Sequence, residues 1–540
     1  MGSPAFRRFP DPFSNPAPTP ASFDYINEGQ DLAESSKGSR LLNLPVEILS
    51  KVIENFDPIA DQESLACLAL VNRDCGQLAR SCQFRSVKLD FSSRATSLAG
   101  VLFREPVERS RHHGRTRLSS LGACVRHVRA SNMYFWTQPM TDLQLQQWRD
   151  NVSNLSQRNA DIYEPSMLFA ISTLPHLDIL DMHELTVNQY VLDSLTASAC
   201  RHLRVKLSIE DMGIRIPALV WPLETLSLDV SWNFTTWCHS KSSNMDASFL
   251  WEILLRMCSK SLQTLRMGHQ ALYGKPMKPI SFTLKFPRLR FLEIACDLHS
   301  SALQSLLTNN LQALFVDYSI PATRNYLDGR GQIRDLSLLV WTGFEIPDDA
   351  SIRMLSDNHQ RITAFGTQYA QSAAFLDRVL PVLADFDHLT VLSIVWDGTE
   401  IPESSLYLLA FLVSLKHLHI SAGNQSGWRR NWEISHDSVC SVLSPLERLK
   451  SLLFTRDSYA RDWGPTVFQL NPDSDYYHTI GFSWSSHITT MSRYVAAYSS
   501  VFSNLQFMFL GQIPFNIDTG TWIDGPRDEN FEAGKYLFGI

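Results

Sequence analysis

The residues best equipped for chemistry in this 540-residue chain are two histidine pairs, His417-Leu-His419 and His112-His113, and a short glycine-bearing turn, Gly329-Arg-Gly331. Residues two apart on a β-strand share a face, so His417 and His419 would offer two imidazole nitrogens to one metal ion. No cysteine or carboxylate stands in register with them, and the favoured reading is two solvent-facing residues of a sheet. His112 and His113 lie in REPVERSRHHGRTR, residues 104–117, whose five arginines would suit a nuclear-import or nucleic-acid patch and are read as a solvated loop. Gly329-Arg-Gly331 lacks the third glycine and the lysine of a phosphate-cradling loop. Asp473-Ser-Asp475 lacks the remaining oxygen ligands of a calcium loop, and no Gly-x-Ser-x-Gly elbow supplies a nucleophile. The chain is therefore read as no enzyme, with no catalytic residue, metal or cofactor assigned. An enzyme concealed in the inserts is the rival that a bound cofactor or a deep polar cleft would reveal.

Recognition chemistry is better represented. Tryptophans gather after strand-like segments at Trp232, Trp237, Trp341, Trp396, Trp428, Trp432 and Trp463. Tryptophan and arginine are favoured interface anchors, because each covers much area at modest entropic cost. Trp428-Arg429-Arg430-Asn-Trp432 and His419 are the candidate target-binding residues, while Trp341 and Trp396 are read as plugs between irregular structural units.

The elements that would position them recur as a phrase: apolar, two of any kind, apolar, one of any kind, apolar. Clear copies are Leu177-Leu180-Met182, Leu223-Leu226-Leu228, Leu262-Leu265-Met267, Leu289-Leu292-Ile294, Leu311-Leu314-Val316, Ile333-Leu336-Leu338, Leu389-Leu392-Ile394, Leu415-Leu418-Ile420 and Leu449-Leu452-Phe454. Weaker ones include Phe84-Val87-Leu89, Val205-Leu207, Ile362-Phe365, Ile480-Phe482 and Leu505-Met508-Leu510. Phrase and spacing resemble leucine-rich repeats, which run about 20–29 residues. That resemblance implies short parallel strands stacked into a curved sheet, with helices such as 249–257 and 407–413 on the convex side. The residue between the two strand leucines then faces the concave side: Ser227, Arg266, Glu293, Phe315, Ser337, Gly366, Ser393, His419, Leu453 and Phe509. The family's buried asparagine or cysteine after the strand is missing; Ser231, Asp297, Ser319, Trp341, Asp397, Gly423 and Asp457 stand there. The turns must satisfy their backbone groups in another way.

Ahead of the repeats lies LPVEILSKVIENFDPIADQESLACLALVNRDCGQLAR, residues 44–80. Pro45 suits a first helical turn, and Ile48, Leu49, Val52, Ile53 and Phe56 recur on one helical face. Asp57-Pro58 stops that helix, since proline disfavours helical geometry in the residue before it. Leu65, Leu68, Val71 and Leu78 continue a second stripe, giving a hairpin with more apolar surface than so small a unit buries alone. With Leu44-Pro45, Glu47-Ile48-Leu49, Ile53, Phe56, Ser64-Leu65, Leu68 and Leu70-Val71-Asn72-Arg73, the segment resembles an F-box. The resemblance implies docking on the adaptor subunit of a cullin–RING ubiquitin ligase through Leu44, Pro45, Ile48, Leu49, Ile53, Phe56, Leu65, Leu68 and Val71. One departure stands out: the family's tryptophan after the Val-Asn-Arg motif is replaced by the Cys75-Gly76 region.

Composition agrees with a packed, modular protein: 44% hydrophobic, 19% charged, net charge −7, which gives no reason to expect a nucleic-acid or membrane partner. No apolar run approaches the ~20 residues that span a bilayer, and the N-terminus has no signal-peptide core. The nine dispersed cysteines read as thiols of a reducing compartment, cytoplasmic or nuclear. The expected organisation is a disordered Pro-rich segment over 1–40, an F-box-like helical domain over 41–82, a repeat solenoid of α/β class over 83–515 and a tail over 516–540. The expected role is substrate receptor of the ligase, binding an unidentified target protein through the repeats. The alternative is an F-box and repeat scaffold acting outside any ligase.

Overall fold

The computed structural model describes residues 12–13, 44, 48, 51–53, 55–56, 61–71, 73–89, 93–111, 121–130, 167–209, 215, 220–232, 248–270, 278–343, 346, 348–422, 432–455, 457–458, 484–511, 513–517 and 521–522. Two compact units emerge, one over residues 11–278 and one over residues 279–540 together with 1–10.

The first unit opens with helices α1 (Gln62–Val71) and α2 (Arg73–Gln83). Its sheet carries parallel strands β1 (Ser86–Leu89), β2 (His127–Ala130), β3 (Ile179–Val187), β4 (His202–Ile209), β5 (Thr225–Trp232) and β6 (Thr264–Gln270), each paired to the next. Between strands lie α3 (Ser93–Arg111), α4 (Gln189–Ala197) and α5 (Ser248–Cys258). Val191, Leu192 and Leu195 of α4 and Leu250 and Leu254 of α5 meet Leu203, Val205 and Leu226 in one apolar interior. Each such leucine or valine contributes roughly 1.5–3 kcal/mol by leaving water. Asn188 starts α4 by accepting a hydrogen bond from the Val191 amide at 2.9 Å.

The second unit repeats the scheme with β7 (Phe291–Ala295), β8 (Ala313–Val316), β9 (Leu338–Trp341), β10 (Ala364–Thr367), β11 (Val391–Val395), β12 (His417–Ser421), β14 (Ser451–Thr455) and β16 (Phe507–Leu510) in parallel. Helices α6 (Ser300–Leu306), α7 (Pro321–Arg330), α8 (Asp348–Asp357), α9 (Ala373–Ala384), α10 (Glu403–Ala410), α11 (His436–Leu443) and α12 (Trp484–Val501) alternate with them. A small side pair joins β13 (Trp432–Glu433) to β15 (Asp457–Ser458). After β16 the direction reverses: β17 (Ile513–Asn516) and β18 (Thr521–Trp522) pair antiparallel. Gly511 makes that turn at φ +56°, where an L side chain would be strained and would meet Met491 Sδ at 2.5 Å. The sheet therefore continues into residues expected to form a tail.

One backbone device recurs in both units. The carbonyl just ahead of a strand accepts two successive amides of the next repeat: Gln312 takes Ser337 and Leu338, Ser337 takes Thr363 and Ala364, Thr363 takes Thr390 and Val391, and Thr390 takes Lys416 and His417. Arg126, Asp178, Arg201 and Glu224 do the same in the first unit. The hydroxyls of Ser337, Thr363 and Thr390 donate to those carbonyls at 3.2, 3.3 and 3.2 Å, across repeats of 25, 26 and 27 residues. After the strands, Asp317 accepts from the Ser319 amide at 2.8 Å, Gln371 donates to the Gly343 carbonyl at 2.9 Å, and Asp457 accepts from the Gly511 amide at 2.6 Å. Individual side chains thus replace the missing asparagine ladder. Thr390→Val, which keeps shape but removes one such donor, should cost about 1 kcal/mol in a urea titration, against no change if water substitutes freely.

The hydrogen bonds also correct two frames. Leu339, not Leu336, pairs with Leu314 and Phe365, so the phrase is Leu336-Leu339-Trp341 and the face residue is Val340 in place of Ser337. Leu203, not Val205, pairs with Leu180 and Leu226, which makes the phrase Cys200-Leu203-Val205. Ile480-Phe482 lies outside the described residues. The expected loop over 104–117 is helical as far as Arg111, running through Pro106.

Candidate functional site

The helical hairpin has a small core of its own: Ile53, Leu65, Cys75, Leu78, Ala79 and Cys82, flanked by Phe56 and Leu68. Cys82 Sγ approaches the Ile53 and Phe56 carbonyls at 3.8 and 3.6 Å, tying the preceding turn to α2. Ile53, Phe56, Leu65 and Leu68, assigned to adaptor contact, thus support the hairpin from within. Leu44, Ile48 and Val71 are exposed, Val71 at 67%; Val52 and Leu70 join them, Leu70 at 87%. Pro45 and Leu49 lie outside the described residues. Leu70 and Val52 were not among the assigned contacts: Val52 shares its stripe with the core residue Ile53, and Leu70 lies outside the second stripe. These are five exposed large apolar side chains on one short segment.

The sheet face opposite the helices differs between the two units. In the first, one row reads Lys88, Arg129, Asp181, Arg204, Ser227 and Arg266 across β1 to β6. It is polar, with four cations to one carboxylate. Asp181 is 1% exposed at its side chain and accepts from Arg129 Nε at 3.2 Å and from Arg204 Nε and Nη2 at 2.8 and 2.6 Å. One buried carboxylate thus holds two guanidinium groups in fixed positions while the local charge stays positive.

In the second unit the row is Glu293, Phe315, Val340, Gly366, Ser393, His419, Leu453 and Phe509. All but Glu293 are buried, and Phe291, Ala313, Phe315, Leu338, Val340, Ala364, Val391, Leu453 and Phe509 form one apolar cluster. His417 and His419 are buried as well, which corrects their solvent-facing assignment. His417 Nδ1 lies 3.0 Å from Ser451 Oγ; His419 lies 2.8 Å from Ser393 Oγ and, by its other nitrogen, 2.8 Å from Thr455 Oγ1. Burial, helped by Lys450 and Lys416, pushes the His417 imidazole down to about 3. Among the described residues no group of three or more His, Cys, Asp or Glu could hold a metal ion.

Of the candidate target loop, Trp428, Arg429 and Arg430 lie outside the described residues. Trp432 is 2% exposed and packs its ring 5.9 Å from Phe454. Trp341 and Trp396 are fully buried, Trp341 against Phe365 and Phe375. Among the described cysteines Cys67 is exposed, Cys440 half-buried and the rest buried. No helix among the described residues is long and apolar enough to cross a membrane.

No protein-family model matches the chain, and no curated protein matches it. Among solved structures it is similar to the crystal structure of a TLR13–ssRNA13 complex, at 12% identity and a TM-score of 0.26, over 62% of this chain and 57% of that one. The chain thus matches less than two thirds of that neighbour's length.

Proposed function

We propose that the protein is a substrate receptor of a cullin–RING ubiquitin ligase, docking on the adaptor through its N-terminal hairpin and holding a target protein on its repeat sheet. The observation that carries this reading is the exposed apolar set Leu44, Ile48, Val52, Leu70 and Val71 on a hairpin whose described core cluster does not include them. A partner that covers this set gains the hydrophobic term without having to fold the hairpin. The reaction chemistry then belongs to the ligase: tethering raises the effective concentration of target lysines beside activated ubiquitin.

The burial pattern selects the test. Ile53→Asp would place a charge in the hairpin core and unfold it, so lost binding would say nothing about contact. Val71→Asp and Ile48→Asp place the charge outside the core. Each should reduce adaptor capture from co-expressing cells by at least tenfold with the circular dichroism spectrum unchanged. Undiminished capture by the double variant sinks the adaptor reading. Capture of the adaptor without a cullin, by the unaltered protein, would favour the scaffold alternative.

A further inference from the structure

The Pro-rich N-terminal segment, expected to bury little, places one side chain in the fold. Phe13 is 1% exposed. The Arg204 guanidinium lies over its ring at 4.6 Å from the centroid, and Arg129 Nη2 donates to its carbonyl at 3.4 Å. Both arginines are the ones fixed by buried Asp181, on adjacent strands of the polar sheet face. An arginine over an aromatic face, with its charge only partly neutralised, is a recognition element with a direction: it selects a π-face. The second arginine selects a backbone acceptor beside it. In the sequence the occupant follows a proline, in Phe9-Pro-Asp-Pro-Phe13.

We propose that the β2–β4 face is a receptor site for a proline-flanked phenylalanine, occupied in cis by Phe13 and yielded to a target protein's segment of the same chemistry. This rests on the reading of the repeat sheet as the target-binding surface, and is independent of the adaptor. The geometry supplies both halves of the argument. Both arginines are preorganised by the three hydrogen bonds they donate to buried Asp181, so the site persists when Phe13 leaves. A tethered occupant acts at an effective concentration on the order of millimolar, so it excludes weak ligands and admits a segment with further contacts.

The test uses the full-length protein and a fluorescein-labelled peptide, RFPDPFSNPA, matching residues 8–17. By anisotropy, the Phe13→Ala protein should bind it about tenfold more tightly than the unaltered protein. Adding Arg204→Ala to Phe13→Ala should remove that binding, and a peptide with alanine in place of the phenylalanine that matches Phe13 should not bind. If Phe13→Ala fails to fold, a chain lacking residues 1–20 takes its place. No binding to the emptied site, or equal binding of both peptides, overturns the proposal. Adaptor capture is measured on the same samples: peptide binding without capture refutes the ligase reading alone, and capture without peptide binding refutes this inference alone.

Discussion

Asp181→Ala is expected to destabilise the unit over residues 11–278 by about 3 kcal/mol, the largest loss for any single polar side chain of its sheet face. Both carboxylate oxygens are buried and receive three guanidinium hydrogen bonds from Arg129 and Arg204. Breaking such an ion pair by removing one partner costs about 3–5 kcal/mol, because the remaining charges lose their compensation. Here the arginine side chains are 45% and 32% exposed and regain water, which places the cost at the lower end. Asp181→Asn keeps volume and one acceptor, and should lose roughly half as much. Urea unfolding followed by tryptophan fluorescence measures both. A change within about 0.5 kcal/mol for the alanine variant would mean that the arginines do not depend on Asp181, and the sheet face would not be preorganised.

Acid should weaken both units, beginning at mildly acidic pH. His417 is pushed down to about 3, and His127 and His436 to about 4, burial being the leading cause for each; Arg129 assists at His127. His436 is stacked 3.9 Å from Tyr494 and hydrogen-bonded to Tyr498 at 3.0 Å, so its neutral ring is part of the packing. In the unfolded chain these imidazoles titrate near 6.5. Between that value and the folded one, the unfolded state binds more protons, so stability rises with pH. It is fully present above pH 6.5 and is lost progressively as pH falls from 6.5 towards 4. Each ring contributes on the order of 3 kcal/mol to the loss over its whole window. The urea midpoint at pH 5 should therefore lie well below that at pH 7.5. His417→Gln, which cannot ionise, should flatten the dependence of the unit over residues 279–540. A midpoint that is constant or higher in acid would contradict the buried neutral rings.

The repeat architecture was legible because the strand phrase has a physical period. Wherever one apolar frame dominates, as at Leu223-Leu226-Leu228 or Leu389-Leu392-Ile394, strands lie where expected and pair in the expected register. The frame failed where apolar residues fill both alternations. Leu336, Leu338, Leu339, Val340 and Trp341 satisfy two registers, and only the Gln312 and Ser337 carbonyls choose between them. Faces were less legible than frames. Nothing in a histidine's identity says that its sheet face is buried, so His417 and His419 were placed in solvent although their rings are enclosed. Likewise Ile53 and Leu65 share a helical stripe with exposed neighbours, and the stripe alone cannot separate an internal core from a docking face. Phe13 had one local signal, an aromatic residue among prolines, which composition averages away.

The reversal after β16 has a bearing on self-association. A stack of parallel strands joined by one recurring carbonyl has no intrinsic length: each added copy offers the next the same ladder. Turning the chain at Gly511 places Pro514, which has no amide hydrogen, within β17, and leaves the two-residue β18 as the outermost strand described. Among the described residues, so brief an outer ladder gives a second molecule little to zip onto at that border.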